Sequence, residues 1–280
     1  MTVFGNAMLA AVLVGALCGI VGTLVVLRKR AFFTVALTHA TFPGGVIAAI
    51  LGVHLALGGF VMGMLLVGLM VLVGKLHRQG NEVAAGIVLS FGYALGTFLH
   101  AANPQLQSKV DSFLTGTILG INRESILLIA TMLIITVVAM TLWWKPMLFS
   151  TFDPRGFVAS GYSGWGFEAL SLVLIVGTVV VTMPAIGSVL AIAMIAAPAA
   201  SAKLLVRNVV WLIPTAVVLG ILAATGGLWI SRWLSISAGG SIALTATLVF
   251  VVATVLRSLG VGGPQRGAAA TLPVKISDRA

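Results

Sequence analysis

This chain consists largely of continuous apolar runs, each close to the length of one membrane crossing. A helix needs about 20 mostly apolar residues to cross a bilayer, and it satisfies its own backbone hydrogen bonds in lipid. The runs lack the alternation typical of membrane β-strands. They predict an all-α, polytopic membrane protein of about nine transmembrane helices. The predicted spans are 6–27, 31–51, 56–74, 83–101, 126–144, 168–186, 187–206, 209–230 and 240–257.

The two runs between residues 168 and 206 leave the count open between eight and nine. They fit two short spans hinged around Pro184 and Gly187, or one span with a re-entrant piece. Cytoplasmic loops carry an excess of Lys and Arg. With nine spans and the N-terminus outside, 16 basic residues divide so that all but three are cytoplasmic. This division favours nine crossings and a cytoplasmic C-terminus. The three external basic residues are Lys109, Arg123 and Arg232.

Composition supports the membrane assignment and excludes a nucleic-acid protein. Hydrophobic residues make up 60% of the 280 residues and charged residues only 8%, against about 25% charged in soluble domains. The net charge of +10 lies in short clusters between apolar runs, whereas nucleic-acid binding requires a basic stripe on one face. We therefore expect the chain to lie in a lipid bilayer and to bind no nucleic acid.

The chain divides into a transmembrane domain, residues 1–257, and a tail, residues 258–280, whose composition predicts a disordered cytoplasmic segment. Within the first part, residues 145–167 are the largest predicted cytoplasmic loop. Residues 102–125 form an external region whose apolar piece FLTGTILG predicts a half-helix.

The sequence gives no sign of catalysis. Of the six Asp and Glu residues, none lies in the middle of a predicted span, which argues against a proton-driven carrier. The stretch GLMVLVGKL (68–76) lacks the glycine spacing of a P-loop and has no Ser or Thr after Lys75. We therefore expect a non-catalytic chain, with any ATP bound and hydrolysed by a partner subunit.

His39 is the candidate functional residue, because an ionisable side chain within a span is a functional hypothesis by default. Thr34, Thr38 and Thr41 surround it in sequence, and Pro43 and Gly44 follow within about a turn. Proline frees backbone carbonyls and glycine permits unwinding, a pattern typical of broken helices along a polar path. The alternative is a neutral imidazole that only hydrogen-bonds a neighbouring carbonyl or threonine.

Five separated stretches resemble the permease subunits of ABC importers for manganese, zinc and iron, in that family's order. The resemblance covers nearly the whole chain, and its motifs are specific only as a set. The stretches are LRKRAFFTVALTHATFPG (27–44), NEVAAGIVLS (81–90), VDSFLTGTILGINRES (110–125), FDPRGFVASG (152–161) and IGSVLAIAMIAAPAASAKLL (186–205).

The resemblance implies a type II ABC importer permease-like fold in the cytoplasmic (inner) membrane of a prokaryote. It implies a homodimer, a cytoplasmic ATP-binding subunit and an extracytoplasmic metal-binding protein. Phe152, Asp153 and Pro154 match the loop that couples to the ATPase, and Asp followed by Pro favours a helix start. His39, Thr38 and Thr34 would then line the metal path. Pro43, Gly44 and Pro198 match positions for helix breaks or packing along that path.

Val35 departs from the family, which has an aspartate four residues before the histidine. That spacing puts both side chains on one helix face. Without the carboxylate the path offers imidazole, hydroxyls and carbonyls, which disfavours manganese more than zinc because zinc accepts imidazole readily. We therefore expect zinc as the cargo, with manganese next, and no permanently bound cofactor.

Two other functions remain open. A related permease for a large metal chelate, such as haem or a siderophore, would need no ionic ligand, and Val35 suits it. A membrane scaffold or sensor that does not transport would need no path at all. Uptake of free zinc or manganese distinguishes the first function from both alternatives.

Overall fold

The computed structural model describes residues 3–76, 81–103, 116–162 and 164–260, and these residues form helices and connecting turns without any β-strand. Two single turns of 3₁₀ helix, Ile118–Gly120 and Val209–Trp211, lie between longer elements. The α-helices are α1 Val3–Leu27, α2 Ala31–Ala40, α3 Phe42–Ile50, α4 Leu55–Leu76, α5 Asn81–Ala101, α6 Arg123–Phe152, α7 Pro154–Ala159, α8 Gly164–Ile186, α9 Ser188–Leu205, α10 Leu212–Leu234 and α11 Ala238–Ser258.

Each predicted apolar run coincides with helical structure, which confirms the all-α polytopic architecture. Within the described residues, 6 helical segments are long and apolar enough to cross a membrane, with α2 and α3 counted together. Three further apolar helices are shorter: Leu55–Val71, Ala85–Ala101 and Leu190–Leu205. The total of nine crossings therefore stays a prediction.

Small residues allow α1 to sit at the centre of one half of the bundle, where it packs against α6, α8, α9 and α10. A Cβ atom on Gly19 would lie 2.7 Å from the carbonyl oxygen of Ala216, so the α1 and α10 backbones are in direct contact. Close backbone approach of this kind is the role expected for small residues in membrane helices. A buried cluster including Val14, Leu17 and Val21 fills the space around α1.

The other half of the bundle consists of α2 to α5, again joined through glycines. Gly44 of α3 meets Gly58 of α4, and a Cβ on either would lie 2.2 Å from the other's carbonyl oxygen. Gly92 and Gly96 of α5 leave room for Ala40 and for the ring of Phe42. Because these contacts hold α2, α3 and α5 side by side, they set the surroundings of His39.

The predicted span 31–51 is divided into α2 and α3 by a break at Thr41. The Thr41 N–H still donates to the carbonyl of Leu37 (3.0 Å), and Gly44 N–H donates to the carbonyl of Thr41 (3.1 Å). Pro43 lies in the first turn of α3, a position where its missing N–H costs nothing. Gly44 is helical and buried, and it packs directly against Gly58, so of the two roles expected for it the structure shows a packing contact while its place on a path stays a prediction.

The predicted cytoplasmic loop 145–167 is partly helical. Helix α6 continues through Lys145 and the internal Pro146 to Phe152. Residues 145–152, the first eight of the predicted loop, are therefore helical, and their assignment to a loop was wrong. Burial explains the continuation: Met147 is 1% exposed and packs with a cluster that includes Leu24 and Leu174. The short helix α7 follows directly, as the Asp-Pro pair predicts.

The connection between α8 and α9 is the predicted hinge. Gly187 separates two distinct helices with φ +85°, a conformation that strongly favours glycine. The Pro184 carbonyl accepts a hydrogen bond from the Thr117 N–H (3.1 Å). The expected half-helix in FLTGTILG is a single 3₁₀ turn where it is described, and its residues 113–115 lie outside the described residues. Of the predicted tail, residues 261–280 also lie outside them.

Candidate metal path

His39 lies on α2 less than a turn before the break at Thr41, and its side chain is half-buried. Val35 lies one turn earlier and is half-buried as well, so the two side chains share a partly open face of the helix. The position where a carboxylate would assist the imidazole is therefore accessible from the same side as His39.

The threonines near His39 are buried, and their hydroxyl hydrogens are used within the helix. Thr34 Oγ1 donates to the Arg30 carbonyl (3.0 Å), and Thr38 Oγ1 donates to the Val35 carbonyl (2.8 Å). Both residues are at most 1% exposed. The structure therefore places Thr34 and Thr38 beside the half-open face of His39 rather than on it, and their part in a metal path stays a prediction.

The imidazole of His39 meets the ring of Tyr93 edge to face, with ring centroids 5.8 Å apart and an interplanar angle of 87°. Its Nδ1 atom is buried and has no hydrogen-bond partner among the described residues. The alternative function of His39, a neutral imidazole that only hydrogen-bonds a neighbouring group, is therefore not supported by any hydrogen bond at Nδ1 within the residues that the structure describes. A buried polar atom without a partner calls for an explanation.

Sequence reasoning missed Tyr93, although a signal was present in α5. Ser90, Tyr93, Thr97 and His100 recur at steps of three or four residues and so share one face of the helix. Tyr93 is 48% exposed, and its hydroxyl has no hydrogen-bond partner in the described part of the chain. His100, further along this face, lies beside Phe42 with ring centroids 6.2 Å apart. The polar face of α5 thus runs alongside α2 and α3.

Within the described ranges, no group of three or more His, Cys, Asp or Glu side chains is placed to hold a metal ion. Pro43 and Gly44 are buried next to His39 in sequence, and Pro198 is buried inside α9, which continues as a helix past it. These three residues are part of the packed bundle, and their role along a path stays a prediction.

The predicted coupling residues lie at the junction of α6 and α7. Asp153 caps α7 by accepting a hydrogen bond from the Gly156 N–H at Oδ1 (2.9 Å), and Pro154 occupies the first turn. Phe152 is 64% exposed. Phe157, by contrast, is 1% exposed and packs its ring on Phe149, Tyr162 and Phe167. One buried ring therefore anchors α7 while Phe152 remains available to a partner.

Comparison with known proteins identifies a family and several relatives of similar length. The ABC 3 transport family matches residues 1–257. The manganese transport system membrane protein MntC of Halalkalibacterium halodurans is 29% identical over 248 residues, covering 89% of this chain and 85% of that protein. The chelated iron transport system membrane protein YfeC of Yersinia pestis is 31% identical, covering 86% and 82%.

A solved structure shares the fold. PsaBC from Streptococcus pneumoniae, determined in complex with a Fab, superposes with a TM-score of 0.84 at 27% identity. The match covers 90% of this chain and 91% of the compared chain. The architecture is therefore that of an ABC transporter membrane subunit.

Proposed function

Since the chain belongs to the ABC 3 transport family, we propose that it is the permease subunit of an ATP-binding-cassette importer for a divalent metal ion. The family match over residues 1–257 carries this proposal, and relatives named for manganese and iron transport support the class of cargo. The unpartnered Nδ1 of His39 supports a cation path beside α2. The chain would perform no chemistry, and ATP would be hydrolysed by a separate subunit.

Zinc is the cargo that we favour, with manganese next. Imidazole is a ready ligand for zinc, whereas manganese prefers oxygen ligands, especially carboxylates. Val35 supplies no carboxylate on the face that it shares with His39. The neutral site would bind weakly, which suits an ion that has to leave again.

Tyr93 completes the proposed path from the α5 side. Its ring keeps the imidazole of His39 in an edge-to-face contact, and its hydroxyl is a neutral oxygen that can contact the ion or a water of its hydration shell. Thr97 and Ser90 extend the polar face on either side of it. In this arrangement Tyr93 of α5 provides the oxygen beside the imidazole of His39.

The partners follow from the same proposal. A cytoplasmic ATP-binding subunit would dock on Phe152, Asp153 and Pro154, and a second copy of this chain would complete the path. An extracytoplasmic metal-binding protein would deliver the ion at the opposite face. The exposed ring of Phe152 and the capped start of α7 support the docking role. The N-terminus would lie outside and the C-terminus in the cytoplasm of a cell whose inner membrane holds the complex.

Uptake of radioactive zinc and manganese by the complex, reconstituted with its ATPase, tests this function. We expect ATP-dependent zinc uptake that falls at least about tenfold in His39→Ala, a loss typical of altered metal sites. His54→Asn is the matched control, because His54 Nδ1 only accepts a hydrogen bond from the Ala56 N–H (3.2 Å) and Asn keeps an acceptor. Unchanged zinc uptake in His39→Ala would show that His39 is not a ligand.

A permease for a metal chelate is the second candidate, favoured by the neutral Val35 and by the relative named for chelated iron transport. A chelated ion brings its own ligands and needs no carboxylate from the protein. This reading predicts uptake of radioactive iron as a siderophore or haem complex, with no uptake of free zinc or manganese. A scaffold that does not transport predicts no uptake of either kind.

A further inference from the structure

Two adjoining cavities of about 200 and 280 Å³ open where several helices end at one face of the bundle. Helix α1 ends at Leu27, α2 begins at Ala31, and α8 begins at Gly164. Because these three helices belong to apolar spans, the cavities lie at the depth where the hydrocarbon core gives way to lipid headgroups. Arg28, Lys29, Arg30 and Glu168 line both cavities.

Arg28 is a fixed part of this site. Its Nη1 donates to Ser171 Oγ and its Nη2 to Ser150 Oγ, both at 3.0 Å, so it ties the ends of α1, α6 and α8 together. Its Nε is buried without a partner among the described residues. Burial, chiefly, and the neighbouring charge of Arg30 lower the pKa of Arg28, whereas Glu168 raises it. The guanidinium stays protonated at neutral pH, so it places a positive charge within the wall.

The local charge is not balanced. Arg30 pairs with Glu168 and lies over the ring of Phe33, with 5.6 Å from Cζ to the ring centroid. Lys29 is exposed, and no hydrogen bond or ion pair links its side chain to the described residues. Three cations thus face one carboxylate among the residues that line the cavities. An anion is the complementary ligand.

The larger part of the remaining wall is apolar. The first cavity is also lined by the apolar residues Phe32, Phe33, Met70, Val71 and Leu172. Phe32 is 47% exposed and Val71 39% exposed. A soluble anion would gain nothing from this surface, whereas a lipid would cover it with the first carbons of its acyl chains.

We propose that this pocket binds the headgroup of an anionic phospholipid from the leaflet on the side predicted to be cytoplasmic. Lys29 and Arg30 contact the phosphate, and Phe32 and Phe33 contact the acyl chains. Basic pockets between membrane helices on this side are suited to anionic headgroups. This site is independent of the transported metal.

Native mass spectrometry of the purified full-length chain tests the proposal. The chain is titrated with dioctanoyl phosphatidylglycerol and, separately, with dioctanoyl phosphatidylcholine. We expect wild-type protein to retain the anionic lipid preferentially, and Lys29→Gln to weaken that binding about fivefold, the effect of one basic residue near an anionic lipid surface. Lys145→Gln is the matched control, because Lys145 is exposed on α6 and lines neither cavity.

Several results would overturn the proposal. Equal retention of the two lipids by wild-type protein is one, and an equal loss in Lys29→Gln and Lys145→Gln is another. Displacement of phosphatidylglycerol by equimolar inorganic phosphate would identify a site for free phosphate. Loss of ATPase association in Lys29→Gln with lipid binding intact would identify a protein contact. If Lys29→Gln does not fold, wild-type protein is measured at about 0.5 M salt instead, because salt screens a surface charge interaction. Retention of phosphatidylglycerol should then fall to that of phosphatidylcholine. Unchanged retention of phosphatidylglycerol would overturn the proposal.

Discussion

Gly15 of α1 lies directly against the backbone of Gly220 of α10: a Cβ atom on Gly15 would come within 2.6 Å of the Gly220 carbonyl oxygen. Real Cβ atoms essentially never approach another atom so closely, so the two helices must separate if either glycine is replaced. Because α1 also packs on α6, α8 and α9, a displacement there disturbs the whole bundle.

Gly15→Ala is therefore expected to destabilise the protein by about 1–3 kcal/mol, the usual cost of overpacking. Gly68→Ala is the control, since Gly68 is an exposed glycine of α4 with nothing within 4 Å of its added Cβ. Thermal unfolding in detergent, followed by size-exclusion chromatography, measures both variants. Equal melting temperatures would contradict the observed contact.

Val35→Asp is expected to shift the cargo preference toward manganese by about tenfold relative to zinc. The new carboxylate would lie one helical turn from His39 on the same half-open face, and a carboxylate supplies the oxygen ligand that manganese prefers. The ratio of radioactive manganese to zinc uptake measures the change. Val35→Asn introduces a side chain of the same shape as aspartate without its charge, and it should leave the uptake ratio near that of wild type. An equal shift in both variants would attribute the effect to shape.

Tyr93→Phe is expected to raise the zinc concentration for half-maximal uptake by about fivefold, the effect of losing roughly one hydrogen bond of the usual net strength. The ring that contacts His39 remains, so the maximal rate should be retained. Phe91→Leu, a change at another exposed aromatic residue of α5, should leave uptake unchanged. If wild-type protein transports zinc and Tyr93→Phe has the same concentration dependence, the phenol has no part in the path.

Phe152→Ala is expected to lower ATP-coupled uptake at least about tenfold without lowering the melting temperature, because Phe152 is 64% exposed and an exposed aromatic anchor is a frequent interface hot spot. Uptake and ATP hydrolysis by the reconstituted complex give the measurement. Trp165→Ala, 74% exposed in the native protein, controls for the loss of any exposed ring near α7. Uptake that is equally reduced in both variants would argue against a specific coupling contact.

Asp153→Ala should destabilise α7 by about 1 kcal/mol, since it removes the bond from the Gly156 N–H. Asp153→Asn keeps an acceptor and should preserve both the helix and uptake. The melting temperature and the uptake rate of the two variants are compared. Failure of Asp153→Asn to transport, with its stability intact, would assign the carboxylate charge itself to the partner contact.

The helices could be predicted well because their signal is local. A run of about 20 apolar residues has one stable arrangement in lipid, and Asp153 with Pro154 starts a helix through contacts within one turn. Details that depend on distant partners were harder to predict. Gly44 packs on Gly58 of the next helix, and α6 continues past Pro146 because Met147 is buried against α1 and α8.

In the candidate site, too, some features could be predicted from the sequence and others depend on helix packing. His39 stood out in the sequence because an ionisable residue within an apolar run is costly, and the absence of a carboxylate at Val35 was visible beside it. The packing of α2 against α5 decides the rest. It buries Thr34 and Thr38, and it brings Tyr93 of α5 against the imidazole of His39.

The bundle of apolar helices and the capped helix after Asp153 could be predicted from the sequence alone. The contacts between distant residues followed only from the folded structure: the backbones of Gly15 and Gly220, the rings of His39 and Tyr93, and the bonds of Arg28 to Ser150 and Ser171. The reason is physical. Hydrophobicity and capping act over one or two helical turns, whereas helix rotation and register are set by packing between residues far apart in the chain.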